Sequence, residues 1–279
     1  MAFAAVGLVI VLVAAGAAVS WHFSSAVLVP DRSGWPTDAT VEGLAPGRVV
    51  LSRSASTQRP GVYGLLWQGG HAIVGAVVKR DADSVTRRLR AVHGYLLRPG
   101  MKVALDTDTF AGDPRQTLGL PFKNVGIPDE LGPMPAWLIP ARSHTWAIVV
   151  HGINGDQQAG LRIAPTLHRT GLPSLLISYR EDLGSPSSPD DFHHMGLTEW
   201  RDLQAAARYA LSHGAHRLVL VGYSMGGAIV AQFMERSPLA RRVAGLVLDA
   251  PVLDWKATLE FNAEQMGLPG LLATPVEWA

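Results

Sequence analysis

Apolar positions fall into three regimes along the chain. From Ala2 to Val19 every residue is Ala, Val, Leu, Ile, Phe or Gly. A helix of that length, rising about 1.5 Å per residue, covers roughly 27 Å, close to the hydrocarbon thickness of a bilayer. Trp21 and Phe23 follow where interfacial aromatic residues belong. The pattern predicts a single-pass N-terminal transmembrane helix within residues 1–29, which makes the membrane one partner of the chain. Ala15-Gly16-Ala17 also offers small residues to a signal peptidase, so secretion after cleavage is the alternative. The membrane face stays open, because Arg32 and Arg48 are the only nearby basic residues and Asp31 offsets them.

The second regime is short-period. Residues 30–48 contain Pro30, Gly34, Pro36, Gly43, Pro46 and Gly47 without apolar periodicity and read as a linker. Val62 to Trp67 and Ile73 to Val78 flank Gln68-Gly69-Gly70, a β-hairpin signal. Residues 84–92 fit two descriptions, a helical face through Val85, Leu89 and Val92 or an edge strand beside Lys102 to Leu105. Residues 49–120 therefore read as a small β-rich module that packs against, or shapes the substrate of, whatever follows.

From residue 121 the rhythm alternates. Asn124 to Ile127 and Ala136 to Ile139 suggest a hairpin, and Trp146 to Val150 is an apolar run of the buried-strand kind. Helix is predicted over Leu161 to Arg169, strand over Ser174 to Ser178, and helix over Thr198 to Ser212. Trp200, Leu203, Ala207 and Leu211 mark one face of that last helix, with Thr198 and Glu199 at its start supplying a cap and a dipole-favourable charge and Gly214 at its end. Strand Arg217 to Tyr223, helix Met225 to Glu235 and strand Val243 to Leu248 complete the series. Such alternation argues an α/β fold with a doubly wound, mainly parallel sheet.

Charge removes some functions. The chain has 24 Lys and Arg against 23 Asp and Glu, a formal charge of +1, so nucleic acid and polyanionic partners are not expected. It has no cysteine, which excludes disulfides, thiolate zinc sites and cysteine nucleophiles.

Candidate chemistry concentrates in Gly222-Tyr223-Ser224-Met225-Gly226, a G-x-S-x-G pattern. An apolar strand precedes it and a helix-compatible run follows it. A sharp strand-to-helix turn forces the serine into a strained backbone, and only small residues two positions either side avoid a clash. Ser224 is thus the candidate nucleophile, and the alternative is a glycine-rich turn with an incidental serine. The second feature is His151-Gly152-Ile153-Asn154-Gly155-Asp156 at the end of an apolar strand. Acyl transfer needs two amide donors on the tetrahedral oxyanion, one after the nucleophile and one from such a loop, which nominates Met225 and Ile153. His151 is read as orienting backbone rather than as catalytic or as a metal ligand.

Taken together, residues from about 122 to 255 resemble the α/β-hydrolase superfamily in its serine esterase and serine-aminopeptidase-like branch. The resembling pieces are the strand ending in His151-Gly152, the strand Leu175 to Tyr179, the helix with Thr198 to Leu203, and the elbow Gly222 to Gly227. The resemblance implies an α/β-hydrolase fold over residues 121–279. It also implies a Ser-His-Asp/Glu mechanism with an acyl-enzyme, a small-molecule ester, thioester or amide substrate, and neither cofactor nor metal.

In that family the acid and then the histidine follow the serine. All ten histidines of this chain precede Ser224, the last being His216. Asp249 and Asp254 are read as structural, and His193-His194, in the polar loop Glu181 to Gly196, as solvated. The catalytic acid and histidine are therefore unassigned. The expectation is a hydrolase domain lacking its last strands, either as an incomplete copy of a longer enzyme or as a catalytically silent scaffold at the membrane, with an atypical triad as a third option.

Overall fold

Period-two burial builds the first unit. The computed structural model describes residues 25, 28–32 and 37–265 of the chain. β1 (Ala39–Ala45) buries Ala39 and Val41 and leaves Thr40 and Glu42 more exposed, and β2 (Arg48–Ser52) buries Val49 and Leu51. β3 (Tyr63–Trp67), β4 (Gly70–Arg80), β5 (Ser84–Gly94) and β6 (Lys102–Asp106) complete a closed barrel in the order β1-β2-β5-β4-β3-β6. Closure comes from β6 pairing with β1, Val103 opposite Ala39, so the barrel has no free edge.

Two sequence expectations change here. The stretch read as a linker contains β1, because Ala39 and Val41 supply only two inward positions before the Pro46-Gly47 turn, too few for a periodic signal. Gly47 adopts φ 66° in that turn, the left-handed region that glycine tolerates. Residues 84–92 are neither helix nor edge strand: β5 pairs with β2 on one side and β4 on the other. Its period-two signal was hidden because one inward residue is Arg87, which is fully buried. The Arg87 guanidinium donates to the carbonyls of Thr57, Arg59, Gly61 and Gly75 at 2.8–3.0 Å.

The second unit is a six-stranded sheet. Its strands are β7 (Lys123–Ile127), β8 (Met134–Ile139), β9 (Thr145–Val150), β10 (Ser174–Ile177), β11 (Arg217–Tyr223) and β12 (Val243–Asp249), in the order β12-β11-β9-β10-β8-β7. β10, β9, β11 and β12 run parallel, while β7 and β8 are antiparallel additions. Side chains of β9 alternate between two cores. Ile148 and Val150 meet α3 (Trp200–Ser212) and α4 (Met225–Arg236) through Leu203, Ala206, Ile229 and Phe233. Ala147 and Val149 meet Leu161, Ala164 and Leu167, from a 3-10 turn at Gln157–Arg162 and α2 (Ala164–Arg169). Helices on both faces of a mainly parallel sheet are the doubly wound architecture that the alternating pattern predicts. A short helix, α1 (Pro114–Leu118), joins barrel and sheet, and α5 (Trp255–Gln265) follows β12.

The membrane expectation is corrected. The helix expected over residues 2–19 lies outside the described residues, and among the described residues no helix is long and apolar enough to cross a membrane. The architecture is an α/β-hydrolase-type sheet preceded by a β-barrel, and neither a single-pass membrane location nor a membrane partner is supported.

Candidate active site

The strand-to-helix turn at Ser224 is drawn by the small residues around it. Ser224 follows β11, starts α4 and has φ 50° and ψ −116°, a conformation rarely adopted by a residue with a side chain. Its N–H donates to the Asp249 carbonyl at 3.0 Å, and its own carbonyl accepts from Val252 N–H at 3.1 Å, so the end of β12 clamps the turn. A Cβ on Gly222 would stand 2.6 Å from the Gly226 carbonyl, and one on Gly226 would overlap the Val150 and His151 carbonyls. Both glycines are thus required by close backbone approach.

The loop after β9 lies beside this turn. Gly152 to Gly155 forms a turn closed by Gly155 N–H on the Gly152 carbonyl at 3.2 Å, with Asn154 at φ 54°. Gly152 faces Ser224 directly: a Cβ on it would stand 3.1 Å from the serine Cβ. Met225 is the first residue of α4, so its N–H belongs to the helix-start donors without an intrahelical acceptor. Gly152, Ile153 and Ser224 line one open cleft of about 330 Å³, with Met225 buried beneath.

His151 is fixed away from this chemistry. It is 1% exposed, stacks on Tyr179 at 4.3 Å, and directs Nε2 at Asp182 Oδ2 and Nδ1 at the Gly152 carbonyl, both at 2.8 Å. Burial alone would lower its pKa, but the Asp182 charge and these bonds outweigh it and the ring is held above its ordinary value. Tyr179 Oη also donates to the Gly152 carbonyl, at 2.8 Å. With that carbonyl anchored by these two side chains and by Gly155 N–H, the turn is held in register against Ser224. The orienting reading of His151 is the one this geometry fits. Asp182 and Tyr179 are parts of the arrangement that the sequence reading missed, since nothing local marks them as partners of a residue some thirty positions away.

The barrel also reaches the cleft. Thr107 and Asp108, just past β6, line it with Ser224, Arg162, Tyr223 and Asp249. Arg162 lies over the Tyr223 ring at 5.6 Å and 3.7 Å from Asp249. Burial, reinforced by the charge of Asp156, raises the Asp108 carboxyl above its ordinary value. Asp249 is at the cleft wall and Asp254 caps the start of α5, donating no group to the cleft. Among the described residues no histidine lines the Ser224 cleft. His193 is not solvated as the sequence suggested but 1% exposed, with Nε2 3.1 Å from Asn154 Oδ1.

Residues 40–106 match the model of a domain of unknown function, DUF8805. Residues 146–270 match the family model described as alpha/beta hydrolase fold. No curated protein matches the chain. Among solved structures it is similar to the Pyrococcus furiosus esterase Pf2001, at 21% identity and TM-score 0.46 over 54% of this chain and 59% of that one. It is also similar to a putative hydrolase from Agrobacterium vitis S4, at 20% identity and TM-score 0.43 over 50% and 56% of the two chains. The Xanthomonas campestris protein XC6422, described as an a/b serine hydrolase without lid, aligns at 20% identity and TM-score 0.41 over 47% and 61%. The chain therefore spans less than two thirds of each of these proteins. Residues 146–270, which include the strand, turn and helix that carry Ser224, are thus similar to the alpha/beta hydrolase fold family.

Proposed function

We propose that the chain is a serine hydrolase that cleaves a carboxylic ester, thioester or small amide of a small molecule through an acyl-enzyme on Ser224. The observation that carries this reading is the strained Ser224, at φ 50°, opening onto a cleft it shares with the Gly152–Gly155 turn. Ser224 Oγ attacks the carbonyl carbon, the bond to the alcohol, thiol or amine breaks as the leaving group takes up the serine proton, and water then releases the acid. Met225 N–H, at the positive end of α4, and Ile153 N–H are the two donors to the oxyanion. Gly152, Gly222 and Gly226 keep the space in which nucleophile and oxyanion loop meet. The base that assists proton transfer is not assigned among these residues.

A second reading is favoured by one observation, the lack of a histidine among the described residues lining the Ser224 cleft. Without a base the hydroxyl stays a weak nucleophile, and the domain is then a binding scaffold without turnover. A fluorophosphonate probe followed by peptide mapping separates the two. Labelling confined to Ser224, with ester turnover abolished in Ser224→Ala, supports the hydrolase; an unlabelled, folded chain supports the scaffold.

A further inference from the structure

Next to Asn154, which His193 meets, three buried side chains of the loop between β10 and α3 converge. Glu181, His193 and Glu199 are 1%, 1% and 0% exposed, and each offers a donor atom within 4.8 Å of the others. Two of their polar atoms, Glu181 Oε2 and His193 Nδ1, are buried with no hydrogen-bond partner among the described residues. Leaving such atoms unpartnered costs about 1–3 kcal/mol each, so the arrangement calls for a ligand.

Hydrogen bonding sets the state of the histidine. Asn154 Oδ1 accepts from the backbone N–H of Asp31 at 2.9 Å, which fixes that atom as the amide oxygen. His193 Nε2, 3.1 Å from the same oxygen, must therefore carry a proton. In a neutral ring Nδ1 is then a bare lone pair, and it is the unpartnered nitrogen. A ring held by its far N–H to an oxygen acceptor, with the near nitrogen free, is the arrangement of a metal-ligating histidine and its orienting partner.

The carboxylates are held similarly. Glu181 Oε1 accepts from Ser188 N–H at 2.7 Å and from its hydroxyl at 2.5 Å, leaving Oε2 turned to the cluster. Glu199 accepts from the N–H groups of His194, Gly196 and Thr198 at 2.7–3.2 Å. Glu199, at the start of α3, accordingly makes no side-chain cap on that helix. The two guanidinium groups whose fields reach Glu181 are committed elsewhere, Arg180 to Asp202 and Glu130 and Arg32 to Asp191. Neither guanidinium is therefore paired with the three converging side chains.

We propose that Glu181, His193 and Glu199 bind one divalent transition-metal ion of the zinc class, which ties the Glu181–Glu199 loop together and, through His193 and Asn154, steadies the turn that faces Ser224. Oxygen, oxygen and imidazole nitrogen suit zinc, with water as the fourth ligand. Tetrahedral donors at bond lengths near 2.0 Å lie about 3.3 Å apart, so binding draws donor atoms now within 4.8 Å of one another together by at most about 1.5 Å. This departs from the sequence expectation of no metal, which had no short ligand motif to work from because the three residues are spread over nineteen positions.

The test uses the full chain, stripped with a chelator and titrated with zinc alone. The expected result is one tightly held equivalent, with affinity falling more than about 100-fold in Glu181→Gln and His193→Gln and about 10-fold to 100-fold in the orienting variant Asn154→Ala. Glu181→Gln keeps an oxygen for Ser188 and so preserves the loop. Cobalt loading of the unmutated chain, which needs no variant to fold, should give the intense visible bands of four-coordinate Co²⁺. Uptake below a tenth of an equivalent, unchanged affinity in both ligand variants, or the pale spectrum of six-coordinate cobalt would each overturn the proposal. The first would leave a buried water between Glu181 and His193, and the others a surface site such as the exposed His144 and His216 pair.

Discussion

Gly152 and Ser224 touch across the cleft: a methyl group placed on the glycine would stand 3.1 Å from the serine Cβ and 3.7 Å from its hydroxyl oxygen. Neither residue belongs to the other's element, so their contact measures how closely the loop after β9 is seated on the turn after β11. Gly152→Ala should leave the fold intact, since the loop can yield by a few tenths of an ångström. On the proposed mechanism it should slow fluorophosphonate labelling of Ser224 by about 10-fold to 100-fold, because it displaces the proposed oxyanion donor Ile153 relative to the serine. Labelling rates on the folded variant check this, and an unchanged rate would remove Gly152 from the site.

The backbone of Ser224 carries strain that glycine would release. A residue held at φ 50°, ψ −116° costs about 1–3 kcal/mol, against about 0.5–1 kcal/mol that glycine loses in conformational freedom. Ser224→Gly should therefore raise the midpoint of thermal unfolding by a few degrees while abolishing labelling. A lower midpoint would mean that the Ser224 side chain makes stabilising contacts that outweigh the strain.

Asp106, at the end of β6, sets a pH dependence of stability. It is 4% exposed, and burial, together with the charges of Asp108 and Asp156, pushes its carboxyl up to about 6 despite a hydrogen bond from Asp108 N–H. The folded chain therefore holds this proton more tightly than the unfolded chain, whose carboxyl titrates near 3.9. Its contribution is most favourable below about pH 4 and is lost as pH rises through about 6, by at most about 3 kcal/mol. Asp106→Asn should be more stable than the parent at pH 8 and equal to it near pH 4, as chemical denaturation at the two pH values would show. A variant less stable at pH 8 would contradict the sign.

How much of this was legible in the sequence depends on how locally each signal is written. The strands β9 to β12 and helices α3 and α4 are announced by runs of apolar residues, and the Ser224 turn by two glycines at fixed spacing. Their geometry follows from residues within a few positions. β1 and β5 were not legible, because a closed barrel makes interior positions of residues that look polar or sparse, Arg87 above all. His151 was expected to orient backbone, and its Nδ1 does face the Gly152 carbonyl, but its partners Asp182 and Tyr179 are set by the parallel pairing of β9 with β10, which no local pattern encodes. The same holds for Glu199, whose position at a helix start suggests a charge favourable to the helix dipole although its side chain folds back to the preceding loop.

Arg87 tests the barrel. It is fully buried without a carboxylate, so four carbonyls carry its charge, and burial lowers its pKa. Arg87→Lys keeps a charge but replaces a planar fork by one point donor set, and Arg87→Leu leaves all four carbonyls unpaired. Either should cost more than about 3 kcal/mol in urea unfolding, the leucine variant the more. A loss under 1 kcal/mol would mean that water replaces the guanidinium.

His151 and Asp182 give the last prediction its sign. Both ring nitrogens of His151 face acceptors, Asp182 and the Gly152 carbonyl, so the protonated ring satisfies the site and the neutral ring leaves one contact without a hydrogen. The folded pKa is raised above the unfolded value near 6.5. The stabilisation from this proton is therefore fully present below pH 6.5 and is lost as pH rises through the folded value. Removing the carboxylate in Asp182→Ala leaves burial as the dominant influence, and burial disfavours the charged ring. The His151 ring proton resonance should then titrate below its ordinary value in the variant and above it in the parent. The variant should also lose about 3–5 kcal/mol of stability at pH 6, where one partner of a buried pair has been taken away. Because Asp182 never reaches the Ser224 cleft, slower labelling in this variant would act through the Gly152 turn. A His151 that titrates identically in both proteins would show that the ring is neutral throughout, and that the turn is held by Tyr179 instead.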